Sequence, residues 1–540
     1  MTAGTSGMSR RGLLAGAAAV GGTAAAGLVA TADGARATTS APFPSGPVTV
    51  VGPDDPRYAS LTHRGCNARF VGTPDHVHVA YSADQVVDAV QKAVRTGRRV
   101  AVRSGGHCFE NFVDDPSVRV LIDLSSMADV SYDARRRAFA VGPGALLGEV
   151  YRKLYLGWGV TVPAGATAEV GVGGHVLGGG YGALSRRYGL SVDYLYAVEV
   201  VVVDASGKAR KIVATREPSD PHHDLWWAHT GGGGGNFGVV TRYWFRDPAA
   251  DGADPGRLLP RPPGSVTNFY ATWSWKDLDE PSFGRLVRNH GSWYERNSAP
   301  DSPYAGLFSV LMLNVRAAGD ILLTGQLDST GPAARRLADD YVAAVNQGVG
   351  ARPTRLQEEV PWLQAAGAVQ ENAPEPFKCK AAYLRRRFTD RQIAAVYAHL
   401  AGDRSKPEVD GSLWLVSYGG KVNTVAPDAT AVAQRDSVLK AIHAVGWEAR
   451  EAAAPRLAWI RDFYRDVYAD SGGVPAPGEV TDGSFINYPD SDLADPALNP
   501  SGTPWHTLYY KQHYSRLQRV KAHWDPRNVF HHALSIRPPE

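Results

Sequence analysis

Three glycine clusters constrain this chain more than any other feature. They are Gly105-Gly106, then Gly171-Val172-Gly173-Gly174 running on to Gly178-Gly179-Gly180-Tyr181-Gly182, and Gly231 to Gly235 followed by Asn236-Phe237-Gly238. Backbone amides approach a pyrophosphate or a flat ring closely only where no Cβ intervenes, and successive N–H groups form concave anion nests. Each cluster sits among hydrophobic, strand-like sequence rather than Ser- or Pro-rich linker, which favours a ligand cradle over a flexible tether.

A Rossmann-type dinucleotide site is disfavoured. Gly171-Val172-Gly173-Gly174-His175-Val176 lacks the third glycine of G-x-G-x-x-G and does not open a clear amphipathic helix. At 540 residues the chain exceeds what one growing core holds, so two or more domains are expected. The formal net charge of +3 and the lack of any Lys/Arg run give no electrostatic footprint for nucleic acid. Cys66, Cys108 and Cys379 are too few and too scattered for a disulfide framework or a zinc site, and one disulfide is the most they allow. His222-His223-Asp224 and His531-His532 lack further ligands at helical or hairpin spacing, so no metal site is expected.

Ser9-Arg10-Arg11-Gly12-Leu13-Leu14 precedes an Ala/Gly/Val run to about Ala32, with A-x-A sites at Ala30-Thr31-Ala32 and Ala35-Arg36-Ala37. This predicts a twin-arginine export signal over residues 1–37, and so a secreted or cell-envelope protein that meets the twin-arginine machinery. That route carries folded proteins, which suits a chain that takes up a cofactor before it leaves.

Along the rest of the chain, Ser82 caps a helix, Gln85 completes a capping box and Val86, Val87, Ala89, Val90, Ala93 and Val94 form its buried stripe, ended by Gly97. Arg99 to Arg103, Val118 to Leu124 and Tyr196 to Val203 read as strands, and Leu146 to Leu156 as a helix. The Pro/Gly/Asp-rich stretch from Pro248 to Pro263 marks a boundary. Beyond it, Ile321 to Leu327 and Ser412 to Val416 read as alternating antiparallel strands, with helices at Pro332 to Asn346, Asp390 to Leu400 and Val432 to Val445.

Taken together, Arg103-Ser104-Gly105-Gly106-His107, Gly171 to Gly182, Gly231 to Thr241, Asn487-Tyr488-Pro489-Asp490 and Trp524-Asp525-Pro526-Arg527-Asn528-Val529-Phe530 resemble the berberine-bridge-enzyme-like group of FAD-linked oxidases in the vanillyl-alcohol-oxidase superfamily. Within it the chain looks most like oxidases that tailor glycosylated natural products. The resemblance implies an α+β fold: a two-part FAD-binding domain (38–255 and 476–540) and a substrate domain (256–475) whose antiparallel sheet is covered by helices. It implies that Arg103, Ser104, Gly105 and Gly106 cradle the pyrophosphate and that His107 carries the flavin covalently. Gly171, Gly173, Gly174, His175, Gly180, Tyr181, Gly182, Gly238, Val239, Asn487, Tyr488 and Asn528 complete the implied cofactor site. The family's second, cysteinyl link falls eight residues before His175, where this chain has Thr167, so only the histidyl bond is expected. Val170, at the family's oxygen-gating position, implies an oxidase that uses O2 and releases hydrogen peroxide.

The same resemblance makes Tyr488 the catalytic tyrosine, with Tyr181, Tyr418 and Tyr468 at related sites. A free tyrosine has a pKa of about 10, so a tyrosine base needs a cation nearby, and Lys421 is the candidate. The expected reaction is oxidation of a carbinol on a sugar or glycosylated natural product. Oxidative cyclisation or oxidation of a free oligosaccharide is the alternative on the same fold, and a non-catalytic flavin-binding protein is the reading from another class. Monomer and homodimer both stay open.

Overall fold

A computed structural model of the protein describes residues 46–329, 331, 333–367, 374–402, 409–448 and 451–539. The export signal over 1–37 lies outside the described residues, as does Pro332 at the start of one expected helix.

The described strands form three sheets. The first holds Thr49–Val51, His76–Val79, Val120–Asp123 and Val100–Arg103, with the last three parallel. The second is antiparallel, in the order Val130–Asp133, Ala138–Val141, Val239–Phe245, Leu195–Val203, Ala209–Thr215. The helix Ala83–Arg95 packs between these two sheets, burying Val86, Ala89, Val90 and Ala93 in one core with Ile122, Val201, Val203 and Val239. The Ser82 hydroxyl accepts from the Gln85 N–H as the sequence predicts, whereas the Gln85 side chain reaches past Ser82 to the Tyr81 N–H. Phe530 joins the same core, so the end of the chain returns to its beginning.

The third sheet is wholly antiparallel, ordered Thr354–Pro361, Ser265–Trp273, Ile321–Asp328, Phe308–Asn314, Asp410–Ser417, Leu439–Gly446, Phe377–Leu384. The helices Glu280–Arg296, Ala334–Val345, Asp390–Ala401 and Ala453–Val467 cover one face of it. Side chains alternate across a strand, so Ala441 and His443 meet the helices while Lys440 and Ile442 face the other way, toward the glycine loops. The α+β architecture with a helix-covered antiparallel sheet matches the expectation.

Two local readings are corrected. The helix expected over Val432 to Val445 is absent; Leu439–Gly446 is instead a strand between two partners. All of its residues are buried, and a run buried on both faces loses the two-residue alternation that marks a half-exposed strand. The Gly171 loop does open a helix, the short Val172–Leu177.

Candidate functional site

A cavity of about 300 Å³ lies where the three sheets meet, within the size range of small-molecule sites. The loops Arg103–Phe109 and Gly165–His175 form its floor, and Gly233–Asn236, Gly238–Val240 and Phe530–His532 close one end. Phe308, Val310, Trp414, Val416, Lys440 and Ile442, all on the uncovered sheet face, form the roof with Phe485–Pro489.

The floor is glycine for steric reasons. A Cβ on Gly105 would sit 2.5 Å from the Gly171 nitrogen, so the two loops interlock backbone against backbone. Gly106 has φ +84°, a left-handed conformation that suits glycine. Gly174 is different: a Cβ there meets nothing within 4 Å and would occupy space on the cavity wall. Gly178 yields to Asn487, whose Nδ2 donates to the His175 carbonyl at 2.9 Å and so ties the C-terminal segment to the second glycine loop. The His175 Nε2 accepts from the Gly165 N–H, and burial pushes its pKa down to about 3, so the ring is neutral.

Arg103 is buried, with Nε and Nη2 on the Asp123 carboxylate at 3.2 and 3.1 Å. Its Nη1 is buried with no hydrogen-bond partner among the described residues. A spare cationic donor beside glycine loops that admit close approach fits a cofactor with a pyrophosphate and a flat ring, as FAD has. Ser104, Gly105, Gly106, His107, Thr167, Val170, Gly171, Gly173, Gly174, His175, Tyr181, Gly182, Gly238, Val239, Asn487 and Tyr488 all line the cavity.

Two expected cofactor residues do not. Gly180 packs against Ser191 with φ +68°, and Asn528 is an exposed turn residue with φ +51°, a conformation asparagine tolerates. Phe530, His531 and His532 line the cavity in place of Asn528.

The tyrosines separate in the same way. Tyr488 and Tyr181 line the cavity; Tyr418 stands behind Tyr181, their ring centroids 5.1 Å apart, with its hydroxyl on the Gln434 carbonyl. Tyr468 lies on the helix-covered side of the sheet, against His443 and Tyr464, and is not part of the site. Lys421 is exposed and away from the cavity.

The cation among the tyrosines is Lys440, which the sequence reading missed. Its Nζ lies 3.7 Å from the Tyr181 ring centre, 4.5 Å from that of Phe485 and 5.8 Å from those of Tyr418 and Tyr488. Burial pushes its pKa well below the usual lysine value. The same burial raises the Tyr488 phenol. Phe109, two residues past His107, stacks on the Tyr488 ring at 5.2 Å and 14°.

The family model described as FAD binding domain matches residues 74–212, and that described as Berberine and berberine like matches 484–537. The chain is 54% identical to the aclacinomycin-N/aclacinomycin-A oxidase of Streptomyces galilaeus over 98% of both chains. It is 31% identical to the hexose oxidase of Chondrus crispus over 89% of this chain and 93% of that one. Among solved structures it superposes on a glycopeptide hexose oxidase complexed with teicoplanin with a TM-score of 0.88 at 56% identity, covering 92% of this chain and all of the other. With the glycine-floored cavity between these matched segments, the comparisons establish that the chain belongs to the berberine-bridge-enzyme-like family of FAD-linked oxidases.

Proposed function

We propose that the protein oxidises a carbinol of a sugar or of a glycosylated natural product to the carbonyl, with O2 as the final acceptor. When bound, FAD supplies the hydride acceptor and, on reoxidation by O2, gives hydrogen peroxide. Residues 38–255 and 476–540 hold this cofactor and 256–475 supply most of the substrate wall. His107, on the Gly105-Gly106 loop at the cavity floor, carries it through a single covalent bond, since Thr167 has no thiol to make a second.

The observation that carries the proposal is the placement of Lys440 beside Tyr181 and Tyr488 on the cavity wall. Burial disfavours phenolate alone and ammonium alone, raising the Tyr488 phenol and lowering the Lys440 ammonium, so amine plus phenol is the resting form of the pair. With one proton removed, the pair is either amine plus phenol or ammonium plus phenolate. Both are net neutral, and the second holds a base at Tyr488 Oη that accepts the substrate hydroxyl proton as hydride leaves the carbon. Lys440 takes the role first given to Lys421. Val170 at the cavity edge and the oxidases among the relatives support O2 as acceptor.

The test is anaerobic incubation of the purified, FAD-loaded protein with glycopeptides, anthracycline glycosides and free sugars. Bleaching of the flavin followed by peroxide on admitting air supports the reading; no bleaching with any of them removes it. Export is proposed on Arg10 and Arg11: replacing both by lysine should abolish appearance of the protein outside the cell, and unchanged export would refute the assignment.

A further inference from the structure

Behind the cavity wall lies a buried cluster of charges that the proposed chemistry does not use. Lys378 and Lys380, on the edge strand Phe377–Leu384, meet Glu110, Asp490 and Asp492, and Arg461 reaches Asp492 from the helix Ala453–Val467. Lys378 Nζ contacts Glu110 and lies 2.7 Å from Asp490; Lys380 Nζ contacts Asp490 and lies 3.1 Å from Asp492; Arg461 lies 3.0 Å from Asp492. Three cations thus face three carboxylates. All but Arg461 have side chains less than a tenth exposed. The Ser491 hydroxyl closes the set by donating to Glu110 at 2.8 Å.

The position of these groups in the chain gives the cluster its meaning. Glu110 stands three residues after His107, and Asp490 two after Tyr488. In front of the charges the same two loops touch again, through the stacked rings of Phe109 and Tyr488. Each loop is therefore held to the other three times, by a ring stack at the cavity and, behind it, by a shared lysine and the Ser491–Glu110 hydrogen bond. Buried ion pairs are weak evidence for stability, because desolvation offsets their attraction, but they fix geometry: removing one partner strands the rest.

We infer that Lys378, with Glu110 and Asp490, is a positioning element that sets the Tyr488 loop against the His107 loop, and so fixes where the Tyr488 hydroxyl stands in the cavity. The inference rests on the proposed roles of His107 and Tyr488. Lys378 does not line the cavity and acts through the two loops. Its strong preference for the charged form follows from the three carboxylates around it.

The experiment compares the FAD-loaded wild type with Lys378→Met, Glu110→Gln/Lys378→Met and Ser491→Ala. Amide hydrogen exchange is read over 106–112 and 485–492, and anaerobic flavin reduction is normalised to bound flavin. Lys378→Met should speed exchange in both segments together by about tenfold or more, leaving strands elsewhere unchanged. It should slow reduction per flavin by about tenfold with KM within about twofold, the pattern of a misplaced group rather than lost binding. The double variant, which removes one charge of each sign, should recover most of both effects. Ser491→Ala, the variant least able to disturb folding, should speed exchange in both segments by about threefold, the scale of one lost hydrogen bond. Faster exchange in one segment only, or evenly through the chain, would overturn the coupling, as would an unchanged reduction rate per flavin in Lys378→Met. If the wild type is not reduced by any substrate, the functional reading fails and the exchange data alone decide the coupling.

Discussion

The side-chain nitrogen of Lys440 stands 3.7 Å from the centre of the Tyr181 ring, in a wall that also holds Phe485 and Tyr488, with Tyr418 behind it. The rings favour the charged lysine and burial disfavours it, so this side chain titrates below an ordinary lysine. Reduction of the flavin should accordingly rise with pH as the Lys440–Tyr488 pair loses its one proton. Lys440→Met should slow reduction by about 10²-fold or more and remove that limb of the pH profile, while Tyr488→Phe should slow it by at least about tenfold. Lys421→Met, at an exposed position, should stay within about twofold of wild type. Stopped-flow reduction across pH checks all three.

Gly105→Ala and Gly174→Ala should behave oppositely. The first pushes a methyl to 2.5 Å from the Gly171 nitrogen, which forces the interlocked loops apart, so it should lower the melting temperature and yield little FAD-loaded protein. The second meets nothing within 4 Å and intrudes only on the cavity, so the melting temperature of the cofactor-free protein should hold while affinity for FAD falls. Calorimetry with and without added FAD separates the two.

His107→Ala should release the yellow colour to the supernatant on acid precipitation, whereas the wild type should keep it in the pellet. Thr167 lines the same cavity, so Thr167→Cys in the His107→Ala background should restore retained colour through a thiol at that position. Absorbance and mass of the flavinylated peptide read the result.

Four histidines shape acid stability. Burial brings His175, His290, His443 and His532 each down to about 3 from the ordinary 6.5. They are neutral in the fold and protonate in the unfolded chain below 6.5, so their contribution is complete above that pH and is lost as pH falls from 6.5 toward 3. Unfolding near pH 5 should take up about two or more protons, and urea midpoints should drop steeply between pH 7 and 5. Midpoints that stay level over this interval would contradict neutral burial.

The glycine loops were legible in the sequence because no other residue serves there: at Gly105 a backbone atom lies 2.5 Å from where a Cβ would be, and Gly106 adopts φ +84°. Tyr488 was legible through the motif it sits in. Lys440 was not, since it lies in a strand buried on both faces that read as part of a helix, and only the pairing of Lys440 with Val416 and Tyr383 turns it toward the cavity. Tyr468 and Asn528 failed for the opposite reason. Their motifs are present, but one side chain lies behind the sheet and the other serves a turn. Proximity across three sheets is set by packing that a linear reading does not contain.

The hydrogen bond from Asn487 to the carbonyl of His175 joins positions 312 residues apart. While the chain is still emerging from the ribosome, the glycine loops exist without the segment that closes over them, and closure of so long a loop is entropically slow. The cavity is therefore complete only once the segment around Asn487 has been made, and a chain cut short before Asn487 should fail to keep a cofactor however well its first sheets had formed.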